Sequence, residues 1–209
     1  MRSLAMAFIN LFAREICCKV VYAGPGLSGK TTNVEWIYER TAALSKGRML
    51  SLKTDSERTL FFDFLPLELG SLGGYKARLQ IYTVPGQIYY GATRRLILRG
   101  ADGVVFVADS QRARLEANEE SLADVRDCLN EHNLADVAFV LQYNKRDLPD
   151  VATVEELHSA LNPDGHPETL ACAATGVGVQ DTLKLVTRRV LQTLKARHGV
   201  MGNAPDISR

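Results

Sequence analysis

The chain has 209 residues, with 25 Lys and Arg against 24 Asp and Glu and a net charge of +1. That length suits one α/β domain with a core of ordinary size, and the even charge supplies no surface for nucleic acid. No apolar run reaches the length of a membrane-spanning helix, and the four cysteines, Cys17, Cys18, Cys128 and Cys172, lack metal-ligand spacing.

The opening MRSLAMAFINLF is apolar but carries one basic residue and no small-residue cleavage site, so it reads as ordinary chain and not as a signal peptide. Position 2 is not Gly and the end, DISR, is not a prenylation box, so no lipid anchor is expected. The cysteines fit small buried hydrophobes in a reducing cytoplasm. Residues 1–14 are expected to lead into a single domain over 15–197, with 198–209 as a polar tail.

Ile16–Ala23 predicts a first strand and Thr31–Leu44 a first helix, with Val34, Ile37 and Tyr38 on one face. Arg48–Leu52 and Leu60–Leu69 look extended, and Tyr75–Val84 alternates as a strand does. Gly103–Asp109 is a continuous apolar run, as expected for a strand buried on both faces. A helix fits Ala113–Glu131, followed by a strand at Ala138–Tyr143, a short helix at Val154–Leu161 and a short strand at Leu170–Ala173. The last helix, Gln180–Ala196, places Leu183, Val186, Val190 and Leu194 at spacings of three and four. Strands alternating with helices predict a mostly parallel central sheet covered on both faces. Ligands on such sheets collect at the carboxyl ends of the strands.

Directly after the first strand stands GPGLSGKT, which meets the pattern G-x-x-x-x-G-K-[ST] through Gly24, Gly29, Lys30 and Thr31. In a phosphate-binding loop the glycines let successive N–H groups converge on phosphate oxygens. The lysine reaches the β- and γ-phosphates, and the hydroxyl ligates Mg²⁺. The helix that follows adds its unpaired N–H groups and positive dipole end. After the strand at Ala138–Tyr143 comes Asn144-Lys145-Arg146-Asp147. A carboxylate there can accept from N1–H and the 2-amino group of guanine, whereas adenine would leave it desolvated and unpaired. Taken alone, NKRD reads equally well as a turn or capping cluster before Leu148-Pro149.

These motifs, with TVPGQ at 83–87 and CAATGVG at 172–178, occur in the order and spacing of the Ras-like small GTPases. More narrowly, REICCKVVYAGPGLSGKTTN, ERTLFFDFLPLELG, YTVPGQIYYGATRRLILRGADGVVFVADS and YNKRDLP resemble the bacterial MglA family over about residues 6–197. The resemblance implies a single P-loop small-GTPase domain that binds GTP, GDP and Mg²⁺ and controls cell polarity and motility. It assigns the phosphates to Gly24, Pro25, Gly26, Leu27, Ser28, Gly29, Lys30, Thr31 and Thr32. Thr59 would sense Mg²⁺ and the γ-phosphate, Gly86 would meet that phosphate through its N–H, and Gln87 would orient the attacking water. Asn144, Lys145 and Asp147 would hold guanine, with Ala173 and Ala174 completing the pocket. Arg58, by itself a solvated residue in a polar loop, resembles an arginine finger supplied within the chain.

One departure is Thr83, in TVPG, where most small GTPases carry the Asp that supports the Mg²⁺ shell. The MglA family shares it. With Thr31 and Thr59 as hydroxyl ligands, Asp63 is a candidate to supply the carboxylate after a switch rearrangement; a plain strand-face role is the alternative. The family also shifts the strand after the first switch between its GDP and GTP states, which the apolar LFFDFLPLELG could accommodate. Its usual activator is MglB, a Roadblock-type homodimer that inserts no arginine of its own. The resemblance therefore implies such a dimer as GTPase-activating partner, polarity and motility effectors, and a cytoplasmic protein recruited to a cell pole. A guanine-nucleotide-dependent binding module with negligible hydrolysis is the second reading. An ATP-using small-molecule kinase is a third, disfavoured by NKRD and by the lack of a separate acceptor-binding domain.

Overall fold

The computed structural model describes residues 8–10, 12–51, 63–85 and 91–198. Eight strands form one sheet: β1 (Phe8–Asn10), β2 (Glu15–Ala23), β3 (Leu50–Ser51), β4 (Asp63–Leu72), β5 (Tyr75–Thr83), β6 (Gly103–Asp109), β7 (Ala138–Asn144) and β8 (Glu168–Leu170). Among the described residues, five α-helices accompany them: α1 (Lys30–Arg40), α2 (Gly91–Leu98), α3 (Leu115–Glu131), α4 (Val154–Leu161) and α5 (Val179–His198). The strand order is β3-β4-β5-β2-β6-β7-β8. From β5 to β8 every pairing is parallel, whereas β3, β4 and β1 join antiparallel. One edge of β2 is taken by β5. On the other, β1 pairs with Glu15–Cys17 and β6 with Val20–Ala23.

Side chains of successive strand residues point to opposite faces, and this sorts the core into two halves. Ile16, Cys18, Val20 and Tyr22 of β2, with Val105 and Val107 of β6, pack beneath α1 and α5 against Val34, Ile37, Val186 and Val190. Val21 and Ala23, with Val104, Phe106 and Ala108, pack on the other face against Ile97 and Leu98 of α2, Leu122 and Val125 of α3, and Leu157 of α4. Burial on both faces explains why β6 reads as an apolar run up to Asp109 and why β7 is apolar as far as Leu141.

Several expected boundaries move; the strand expected to end at Leu69 runs on to Leu72, and that expected over Arg48–Leu52 covers Leu50–Ser51. The first helix ends at Arg40, because the Thr41 hydroxyl and N–H both donate to the Ile37 carbonyl and the chain turns extended there; a short 3₁₀ turn follows at Ala43–Ser45. The last short strand is Glu168–Leu170 and not Leu170–Ala173. Beyond it the backbone turns on itself: Cys172 N–H donates to Val177 O and Ala173 N–H to the Asn144 side chain. The helix expected from Ala113 begins at Leu115, after a 3₁₀ turn at Arg112–Arg114. β1 and α2 were not expected from the sequence. In α2 the apolar stripe is interrupted by Arg94, which is buried beside Ile97 and Leu98. Leu60–Phe62 and Leu52 lie outside the described residues.

Gly103 opens β6 directly under α5; a Cβ there would lie 2.6 Å from a Val190 methyl and 3.0 Å from one of Val186. Both neighbours are stiff at χ1 and sit in the core. Gly103→Ala is expected to lower stability by about 1–3 kcal/mol, read as a reduced urea midpoint at unchanged slope.

Candidate functional site

The parallel strands β2, β6, β7 and β8 end together, and the chain that leaves each of them builds one side of a cleft. The loop after β2 is shaped by close approach. Gly24 has φ 139°, and a Cβ on it would run into the Val107 carbonyl oxygen of β6; Gly29, at φ 98°, would meet the Asn144 side-chain amide in the same way. Leu27 adopts φ 65° at the tip and is 89 % exposed. Pro25 is buried and Gly26 half-buried. The loop enters α1 at Lys30, where the first N–H groups of the helix have no partner within it; Thr31 and Thr32 stand in that first turn.

The Lys30 ammonium folds back across the loop, donating to Gly24 O at 3.0 Å and Pro25 O at 2.6 Å. Burial pushes its pKa down to about 7; nearby Arg94 acts in the same direction, and Asp63 opposes it. A phosphate beside this ammonium would supply the negative charge that its burial lacks. Thr31 Oγ1 donates to Asp63 Oδ2 at 2.8 Å. Asp63 opens β4 opposite Thr83, the last residue of β5. Thr83 Oγ1 accepts from Asp63 N–H at 2.8 Å and donates to Asp63 Oδ2 at 3.0 Å. Both are nearly sealed from solvent. Thus a carboxylate reaches the Thr31 hydroxyl from the strand neighbouring Thr83. A hydroxyl and a carboxylate are hard oxygen donors, the set that suits Mg²⁺.

The base side is assembled at the end of β7. Asn144 Nδ2 donates to Ser28 O at 2.8 Å, and Asn144 Oδ1 accepts from Ala173 N–H at 2.9 Å. Lys145, at φ 65°, extends its ammonium to Asp109 Oδ2 at 2.7 Å. Asp147 and Ala174 are exposed, while Ala173 is buried. So the loop residues 24–32, Asp63, Asn144, Lys145, Asp147, Ala173 and Ala174 come together where the parallel strands end. Arg58, Thr59, Gly86 and Gln87 lie outside the described residues.

Sequence reasoning missed three residues here. Arg114 donates from Nη2 to Gly26 O at 3.0 Å. Arg94, buried in α2, pairs with Asp124 at 2.5 Å and donates to Pro85 O at 3.2 Å, next to Gly86. Asp109 ends β6 in register with Asn144 and holds Lys145. The charged end of an otherwise apolar GVVFVAD was the available signal for Asp109; the two arginines carry none, because Arg114 meets a backbone carbonyl far away in the chain and Arg94 is held by the Asp124 carboxylate and the Pro85 carbonyl, contacts that only the fold brings together.

Comparison with known proteins bears on this geometry. The profile of the ADP-ribosylation factor (Arf) family matches residues 59–191. The chain is 59% identical over 192 residues to the mutual gliding-motility protein MglA of Myxococcus xanthus (strain DK1622), a match spanning 91% of this chain and 98% of that protein. It is also 27% identical over 172 residues to elongation factor 4 of Desulfitobacterium hafniense (strain DSM 10664 / DCB-2), which covers 78% of this chain but 28% of that larger protein. A glycine-shaped loop, a buried lysine and an asparagine joining two loops are what such likenesses require, and the chain belongs to the MglA family of Ras-like small GTPases, GTP-hydrolysing switches that bind GTP and GDP with Mg²⁺.

Proposed function

We propose that this GTPase sets cell polarity and gliding motility, with its nucleotide held in the cleft at the ends of β2, β6, β7 and β8. The observation that carries the residue assignment is the Asp63 carboxylate, hydrogen-bonded to Thr31 and Thr83 and close enough to Lys30 to act on its charge. The motility role is supported by the 59% identity to a protein named for gliding motility. No helix among the described residues is long and apolar enough to cross a membrane. We place the protein in the cytoplasm, recruited to a cell pole.

In this reading the N–H groups of Gly26 to Thr32 and the Lys30 ammonium hold the phosphates. Thr31 and Asp63, with Thr59, would hold Mg²⁺, which would supply positive charge to offset that of the phosphates. Asp147 accepts from guanine N1–H and its 2-amino group. Asn144 keeps the two loops at a fixed separation, and Ala173 with Ala174 borders the base. Gln87 orients a water that attacks the γ-phosphorus; the bond to the bridging oxygen breaks, the oxygen leaves with GDP, and the water's proton departs with phosphate. Arg58 places its guanidinium against the charge that spreads over the γ-oxygens. A Roadblock-type homodimer of the MglB kind acts by fixing Arg58 and Gln87, and polarity effectors read the surface that changes on hydrolysis.

Arg58→Ala and Gln87→Leu should keep GTP bound and slow its single-turnover cleavage in the presence of the dimer by about 10²-fold or more. Cleavage at the wild-type stimulated rate removes the residue from catalysis. Asp147→Asn should transfer preference from GDP to xanthosine diphosphate in a competition assay, and unchanged preference places Asp147 away from the base. Asp63→Asn should raise the Mg²⁺ concentration needed to retain GDP by about 10-fold or more. An unchanged Mg²⁺ titration would leave Asp63 a structural partner of Thr83 only.

A further inference from the structure

Gln142 lies one pleat before Asn144 on the same face of β7 and is fully buried. The preceding residues of that face, Ala138 and Val140, join the apolar core with Val186 and Val190 of α5. Gln142 instead joins a chain of hydrogen bonds. Its Nε2 donates to Asn33 Oδ1 of α1 at 3.0 Å and to Thr182 Oγ1 of α5 at 2.9 Å. Asn33 Nδ2 donates in turn to the carbonyl of Gly29, which closes the phosphate loop, at 2.9 Å. Thr182 Oγ1 donates to the carbonyl of Gly178, which closes the loop at 172–178, at 2.7 Å. Thr169 of β8 lies 2.7 Å from the same Thr182 oxygen.

The Gln142 Oε1 atom is buried without a hydrogen-bond partner among the described residues. A buried amide satisfied only through its donors gives up stability that an apolar side chain would keep. Core packing therefore does not account for a glutamine here; the two loops that it joins do. Asn144 spans the same two loops one layer nearer the cleft, from Ser28 O to Ala173 N–H. One amide bridge leaves the loops free to pivot about it. A second bridge behind the first fixes their relative angle.

We propose that Gln142 is a positioning residue that couples the phosphate loop to the base loop and thereby sets how long a guanine nucleotide stays bound. It rests on the guanine-nucleotide reading of this cleft. A nucleotide leaves only when the loop around its phosphates and the loop around its base move relative to one another. The path Gly29–Asn33–Gln142–Thr182–Gly178 resists that movement without touching the nucleotide.

The test is release of a fluorescent GDP from the full chain, loaded in Mg²⁺ and chased with excess GDP. Wild type, Gln142→Leu, shape-matched Thr182→Val and the double variant are compared, with cleavage of already bound GTP measured on the same samples. Retention by the wild type reports on the site itself, and the difference between wild type and variant reports on Gln142. Gln142→Leu should release GDP about three- to ten-fold faster, as expected for one lost buried bridge. Cleavage of bound GTP should change far less than release. Thr182→Val should act in the same direction and add nothing in the Gln142→Leu background, because both cut one path. Unchanged release in the single variants, additive effects, or cleavage altered as much as release would overturn the proposal. If Gln142→Leu does not fold, Thr182→Val decides alone: faster release supports the coupling and wild-type release refutes it.

Discussion

The site depends on one side chain, the amide of Asn144. It can accept from Ala173 N–H and donate to Ser28 O only because β6 and β7 run parallel and in register up to Asp109 and Asn144. That register brings two loops, separated by well over a hundred residues in the chain, to the same end of the parallel strands. Gly29 follows from the same contact: the amide lies where a Cβ of residue 29 would be, so no other residue can close the phosphate loop. Gly24 is fixed in the same manner by the Val107 carbonyl on β6. The glycine spacing of the motif is therefore a record of what the neighbouring strands present to the loop.

Charge in the cleft is arranged by burial. Lys30 is driven toward neutrality because its ammonium is enclosed and its nearest partners are carbonyls. Arg94 adds positive potential nearby, and its own pairing with Asp124 anchors α2 to α3. The result is a region where Lys30 and Arg94 lie near the enclosed carboxylate of Asp63, placed where a hydroxyl and a cation would share it. A polyphosphate with a divalent ion balances that arrangement better than either alone.

Much of this was legible in the sequence because the motifs sit at strand ends and their residue types are dictated locally. Gly103–Asp109 and Val154–Leu161 were delimited correctly, since a doubly buried strand and an amphipathic helix each leave a clean pattern. Thr41 and Ala171–Ala173 misled for a shared reason: long-range or side-chain hydrogen bonds took backbone groups that propensity had assigned to a helix and a strand. α2 was hidden by a buried arginine on its apolar face, a feature that only the acceptors on α3 and at Pro85 make sense of. Asp63 was legible as a candidate, but its alternative role on a strand face could not be separated from it without knowing that the β4–β5 pairing, from Phe64 and Tyr82 onward, brings Asp63 to the Thr83 hydroxyl.

That pairing has a consequence for how the metal and the fold are tied. Where the carboxylate follows the central strand directly, its place is set by rigid parallel sheet. Here the position holds Thr83, and the carboxylate comes from β4, which contacts the rest of the sheet through the antiparallel pairing with β5. A slip of one residue in that pairing turns Asp63 to the opposite face, and a slip of two carries it about 7 Å along the strand. Either removes it from Thr31. The Thr83 hydroxyl, which accepts from the Asp63 N–H and donates to its carboxylate, holds the register at this point. The threonine thus does two jobs that an aspartate could not: it avoids a second negative charge beside Asp63, and its hydroxyl both donates and accepts. Carboxylate supply and strand register are therefore one variable, and whatever alters the β4–β5 pairing alters the metal site with it.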